Sequence, residues 1–161
     1  MAISLGGLFM LILCSGITGF QPAPLIEENE FKQLCYSLFG KKVLDFKEGR
    51  TVENFYECVI KVEDKSVHVL LNGQYPFMAF TSTRESNVHY FPFINEPELS
   101  KIFEHHYKIL SLNQLNEPLR YTQKGKKIIV KNENSLHQDE LEQLVYWQPK
   151  TVGEVVFNYW D

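Results

Sequence analysis

Three cysteines and five histidines are the side chains here that could cross-link, bind metal or exchange a proton near neutral pH. Only His105 and His106 are adjacent in sequence. Neighbouring helical residues diverge by about 100°, so these two do not form the i, i+4 pair of a helical zinc site, and no His-Glu-X-X-His motif is present. His106 falls on an apolar helical stripe with Leu99, Ile102 and Phe103 and reads as a hydrogen-bonded boundary residue. His68 and His89 stand in strands among large apolar neighbours. Meeting a carboxylate at a pocket, they would define a small hydrolase; packed separately, they are structural. No Gly-X-Ser-X-Gly elbow, dinucleotide glycine motif or phosphate loop occurs. Glu154 has a helix-capping position, and Glu57, Glu104 and Glu140 read as solvated charges. The residues call for no metal and no cofactor, and catalysis is the minority reading.

The cysteines are better explained by each other. Residues 1–20 carry no charged side chain, and Leu8–Cys14 followed by Ser15-Gly16-Ile17-Thr18-Gly19 has the form of a secretory signal peptide, cut near Gly19. The alternatives are a retained anchor or an apolar element of the domain. Removal of residues 1–19 also removes Cys14 and leaves Cys35 and Cys58, an even count that an oxidising compartment joins as a disulfide. Such a bridge would stabilise the fold by about 3 kcal/mol on the loop-entropy account; two buried free thiols are the competing arrangement. No Asn-X-Ser/Thr acceptor is present.

Two features could bind a partner. Arg120, Lys124, Lys126, Lys127 and Lys131 gather at a predicted hairpin, where lysines also serve to keep an edge strand from aggregating. Tyr90, Phe91 and Phe93, with Tyr75, Phe77 and Phe80, could form an aromatic surface beside a sheet edge or simply fill a core. The whole-chain charge of −4 disfavours nucleic acid.

These residues need a scaffold of about one domain, which 161 residues with 44% hydrophobic and 22% charged side chains supply. After a spacer over residues 20–25, held extended by Pro22 and Pro24, a single α+β domain is expected over 26–161. Phe31, Leu34, Cys35 and Leu38 make a helical stripe that Gly40 stops. Between Asn54 and Phe93 the period changes to two, predicting four antiparallel strands in sequential order. Tyr56, Cys58, Ile60 and Val62 share one strand face, Glu63-Asp64-Lys65 turns the chain, and Asn72-Gly73 signals a tight hairpin before Tyr75–Thr81. Val88–Phe93 is the fourth strand, at an edge because of Pro92. Asn95, Pro97 and Glu98 open a second helix, which leads to a short strand over Tyr107–Leu112. Leu119–Thr122 and Lys127–Val130 form the second hairpin, and Ser135 with Gln138 makes a capping box for a helix bearing Leu141, Leu144 and Val145. Thr151 and Glu154 cap a terminal helix whose stripe is Val152, Val155, Val156 and Tyr159, covered because most of its circumference is apolar.

A helix followed by an antiparallel meander resembles the cystatin arrangement. The Gln-X-Val-X-Gly loop that carries protease inhibition in that family is not reproduced: Gln143-Leu144-Val145-Tyr146-Trp147 lacks the glycine and lies in a predicted helix. The reading that follows is an exported, non-catalytic protein that recognises another protein or peptide through a sheet edge or aromatic surface, without a membrane span once the signal is removed. A small secreted hydrolase is one alternative. An intracellular protein-neutralising module is the other, should the N-terminal segment stay in place.

Overall fold

The computed structural model describes residues 2–5, 8–20, 24–48, 53–82 and 91–160, with 2–5 and 8–10 described by backbone alone. The fold is α+β. β1 (Ala2–Leu5) and β2 (Leu8–Leu11) form an antiparallel hairpin of their own. After α1 (Glu28–Phe39), capped by Gly40, the chain builds an antiparallel run of β3 (Val43–Lys47), β4 (Phe55–Val62), β5 (Lys65–Asn72), β6 (Phe77–Thr81) and β7 (Phe93–Ile94), each strand beside the next. α2 (Pro97–Phe103) then leads to β8 (Lys108–Ile109), which pairs in parallel with β6. α3 (Leu112–Leu115) precedes a two-stranded ribbon of β9 (Tyr121–Lys124) and β10 (Lys127–Val130). α4 (Gln138–Trp147) and α5 (Val152–Val156) follow.

Both faces of the large sheet are covered, which is why β6 is buried along its whole length and the strands lack a clean apolar–polar alternation. One face, with Cys58, Ile60, Val69, Leu71, Met78 and Phe80, meets α1 and α2 through Phe31, Cys35, Leu99 and Phe103. The other, with Phe55, Leu70, Phe77 and Ala79, meets Ile12, Leu13, Ile17 and the stretch from Val152 to Trp160. Each large apolar side chain fully buried in this way contributes about 1.5–3 kcal/mol.

Several elements differ from expectation, for local reasons. β3 is an additional strand, short and interrupted by an irregularity between Val43 and Asp45. Asn72-Gly73 does not make a two-residue turn. Asn72 Oδ1 instead accepts from the amides of Gln74 (2.8 Å) and Tyr75 (2.9 Å), rounding a four-residue connection. Gly73 keeps this approach open: a Cβ there would stand 3.1 Å from Asn54 O, a tight contact. Most of the expected fourth strand lies outside the described residues; its end is β7. α2 stops at Phe103, so His106 leaves the stripe and is exposed, as is Ile102. Leu38, placed by periodicity on the inner side of α1, is exposed as well. The expected strand at Tyr107–Leu112 gives way after Ile109 to α3, whose capping box is Ser111 with Gln114. α4 is capped by His137 with Glu140 rather than by Ser135 with Gln138. α5 ends at Val156, so Tyr159 is buried in extended chain beyond the helix.

Residues 12–20 belong to this core. Ile12, Leu13 and Ile17 are no more than 1% exposed. Glu140, fully buried, accepts from Gly16 N (2.9 Å), Thr18 N (3.1 Å), Thr18 Oγ1 (2.5 Å) and His137 N (3.1 Å), so its charge is met by four donors. Ser135 Oγ accepts from Ser15 N and Ser135 N donates to Leu13 O, which gives that side chain a tethering role in place of a cap. Cys14, beside them, has its thiol pushed up to about 11, chiefly by burial. Glu140→Ala leaves the buried donors without an acceptor and should lower the unfolding free energy by on the order of 3 kcal/mol in chemical denaturation; a change under about 0.5 kcal/mol would show that the carboxylate does not hold the segment.

Candidate functional site

The β9–β10 ribbon is set by its turn and by its root. Gly125, at φ 60, supplies the left-handed backbone of the Gly125-Lys126 turn, a conformation costly for other residues. At the other end Asn132 is buried: its Oδ1 accepts from Arg120 N (2.8 Å) and its Nδ2 donates to Glu117 Oε2 (2.6 Å) and Pro118 O (3.0 Å). Leu119 N donates to Lys150 O and Val152 N to Glu117 O, tying this root to the C-terminal segment.

The register then decides which side chains share a face. Lys127 pairs with Lys124, Ile129 with Thr122, and the bond from Lys131 N to Arg120 O continues the ladder by one step. Directly opposed residues lie on the same side of a ribbon. Ile128 and Val130 point inward and are buried, Val130 packing in the core with Leu144. The outer face therefore holds Lys124 opposite Lys127, Thr122 opposite Ile129, and Arg120 opposite Lys131, with Lys126 at the tip. Ile129 is 48% exposed.

This is a poor arrangement for stability. Side chains directly across a ladder have Cβ atoms about 4.5–5.5 Å apart, and like charges there are destabilising. Residues 120–131 carry five of the chain's 16 Lys and Arg and no Asp or Glu. Among the described residues none of the five forms an ion pair, whereas Lys32 pairs with Glu48, Lys47 with Glu57 and Lys65 with Glu96. An exposed apolar centre flanked by unneutralised cations is suited to an acidic surface with an apolar contact at its middle.

The other residues singled out by sequence fall elsewhere. Phe91 is buried and Phe93 half-buried, stacked on each other with ring centroids 5.6 Å apart and packed on Tyr159 and Phe157, so they form core in place of an open aromatic surface. Tyr90 and His89 lie outside the described residues. Cys35 on α1 and Cys58 on β4 are buried in the same core cluster as the expected bridge requires, with no sulfur–sulfur bond formed in the structure, and the neighbouring Cys58 and then burial hold the Cys35 thiol well above its ordinary value. The large sheet's edge at β3 is blunted by its irregular register and by Asp45 and Lys47.

His68 Nδ1 lies 2.6 Å from Glu57 Oε2, and Lys47 Nζ is 3.8 Å from the same oxygen. Glu57 is fully buried, not solvated, because the strand face it shares with Leu70 is covered. An ionised carboxylate can only accept, so with Glu57 ionised the bond requires the His68 proton on Nδ1. Thr81 stands opposite His68 in register, buried, and its hydroxyl makes no hydrogen bond in the structure. The described residues thus place a histidine and a carboxylate together without a nucleophile bonded to the ring. Among them no group of three or more His, Cys, Asp or Glu could hold a metal ion, and no helix is long and apolar enough to cross a membrane.

Compared with known proteins, the chain matches no family model, no curated sequence and no solved structure.

The ribbon's charge arrangement predicts a gain on repair. Lys124→Glu turns one like-charge pair into an opposite one and should raise the unfolding free energy by about 0.5 kcal/mol at low salt, a gain that shrinks toward zero in 1 M NaCl. A loss of stability at low salt would mean that these ammonium groups are already neutralised.

Proposed function

We propose that this protein is a non-catalytic binding protein that recognises an acidic protein surface through the outer face of the β9–β10 ribbon. The observation that carries the reading is the register, which sets like charges opposite each other across the strands on either side of exposed Ile129. A fold selected for stability alone gains nothing from this arrangement, whereas a partner's carboxylates would relieve it on binding. Ile129 supplies the apolar contact, and the cations around it set the orientation and speed of encounter. The site is local: the chain as a whole has a charge of −4, so the remainder of its surface does not favour polyanions in general.

The test is a titration of the full chain with a fluorescent peptide of alternating glutamate and aspartate around one leucine, beside a DNA oligonucleotide of equal charge. The peptide should bind in preference to the oligonucleotide and weaken as salt is raised. Ile129→Asp and Lys127→Glu should each reduce affinity at least tenfold, a loss of about 1.4 kcal/mol. Unchanged affinity in both variants, or equal binding of the oligonucleotide, would overturn the proposal.

We further propose that residues 12–20 stay on the working protein, in the intracellular form of this reading, and are not cut away as an export signal. What supports this is the cost of removal: Glu140 would lose three of its four donors, and Asn54 and Asn72 would each lose the Ile17 carbonyl as acceptor. The intact mass of protein taken from its native source should include these residues. A mature chain starting near Phe20 would restore the export reading.

A further inference from the structure

We propose that the segment taken by the ribbon is an extended acidic strand that adds to the open edge of β9, with carboxylates two residues either side of an apolar side chain. This rests on the ribbon being a binding face and names the kind of chain it would take.

The ladder decides which backbone groups are left over. Lys131 N donates to Arg120 O at 2.7 Å, which makes these two residues a hydrogen-bonded pair. Along an antiparallel ladder such pairs alternate with pairs whose amides and carbonyls turn outward. By the register, Thr122 with Ile129 and Lys124 with Lys127 are hydrogen-bonded pairs as well, whereas Tyr121 with Val130 and Gln123 with Ile128 turn their backbone groups away from each other. No third strand joins the ribbon among the described residues. Its two edges are not equivalent. On β10, Ile128 and Val130 are buried, and Val130 O accepts from Asn134 Nδ2 at 3.2 Å. On β9, Gln123 is exposed and Tyr121 half-buried, and among the described residues the outward amides and carbonyls of both have no hydrogen-bond partner. β9 is the edge that can accept another strand.

Charge then selects the occupant. A strand laid beside β9 brings alternate side chains into line with Arg120, Thr122 and Lys124 on the outer face. Each extends a row already present: Arg120 with Lys131, Thr122 with Ile129, and Lys124 with Lys127. The two cationic rows call for carboxylates. The row between them calls for an apolar side chain over the Thr122 methyl, next to exposed Ile129. A second copy of β9 would set like charges against one another, so the lysines that keep this edge from pairing with itself admit an acidic strand.

Two capped peptides of one composition, with the cores Glu-Thr-Leu-Thr-Glu and Thr-Glu-Leu-Glu-Thr, separate this from general attraction by charge when titrated into the full chain. Only the first can set its leucine and both glutamates on one face of a strand. It should bind at least tenfold tighter than the second and, at saturation, slow hydrogen exchange at the Tyr121 and Gln123 amides at least tenfold. N-methylation of one alternate set of its amides should abolish binding while the other set leaves affinity within twofold, because only one set faces β9. Gln123→Pro removes an outward N–H at a position where an edge strand tolerates proline, and should weaken the first peptide at least tenfold with an unchanged thermal melt. Binding of the first peptide that resists methylation of either set, with exchange at Tyr121 and Gln123 unaltered, would overturn strand addition and leave the outer face as a docking surface. Failure of both acidic peptides to bind would overturn strand addition together with the ribbon reading beneath it.

Discussion

Two backbone carbonyls, those of Ile17 and Val156, each accept two side-chain amides inside the protein. Asn54 Nδ2 donates to both (3.0 and 2.9 Å), and so does Asn72 Nδ2 (3.1 and 2.7 Å). An amide nitrogen has two protons and a carbonyl two lone pairs, so this four-membered arrangement uses all of them. Asn158 extends it: its amide donates to Asn54 Oδ1, its carbonyl accepts from Asn54 N, and its side chain donates to Thr18 O and Val155 O. The N-terminal turn, the start of β4, the end of β5 and the C-terminal segment are thereby fixed at one point. Partly satisfied, such a network would be worse than apolar packing; complete, it specifies a single arrangement. The apolar contacts of Ile17, Phe55, Val156 and Phe157 are built around it.

The remaining architecture follows from this junction. Fixing Asn158 places the C-terminal stretch across the sheet, and the bond from Leu119 N to Lys150 O then hangs the ribbon from the same stretch. The ribbon can bear mutually repelling cations because its inner side, with Val130 packed in the core, and its root, held by buried Asn132, keep it in place. A ribbon face that works against local stability needs support of this kind elsewhere in the fold.

Much of this was legible in the sequence wherever local chemistry decides structure. The α1 stripe through Phe31 and Cys35, the strand segments, the Lys-rich hairpin and the Thr151 cap depend on residues close together in the chain. The basic face was visible as composition, but the opposition of Lys124 to Lys127 and of Arg120 to Lys131 required the register. Failures came where distant residues decide. Nothing near Asn72 in sequence announces that its side chain serves Ile17 and Val156, so Asn72-Gly73 reads as an ordinary tight turn. Glu57 and Glu140 look like solvated charges because their donors lie on other elements. An apolar run at residues 8–14 followed by small residues has the form of a leader, and nothing in it announces the buried contacts that Ile12, Leu13 and Ile17 make. α3 is a different case: Ser111 and Gln114 carry the capping signal openly, but a four-residue helix is too short for periodicity to show.

The central claim is that residues 12–20 are pinned into the core by buried carbonyl, carboxylate and amide groups. Native-state hydrogen exchange at the amides of Gly16 and Thr18, both donors to Glu140, tests it most directly. The account predicts protection close to that of the β5 amides, lost only with global unfolding. Exchange at the rate of an unstructured peptide, while β5 stays protected, would contradict it.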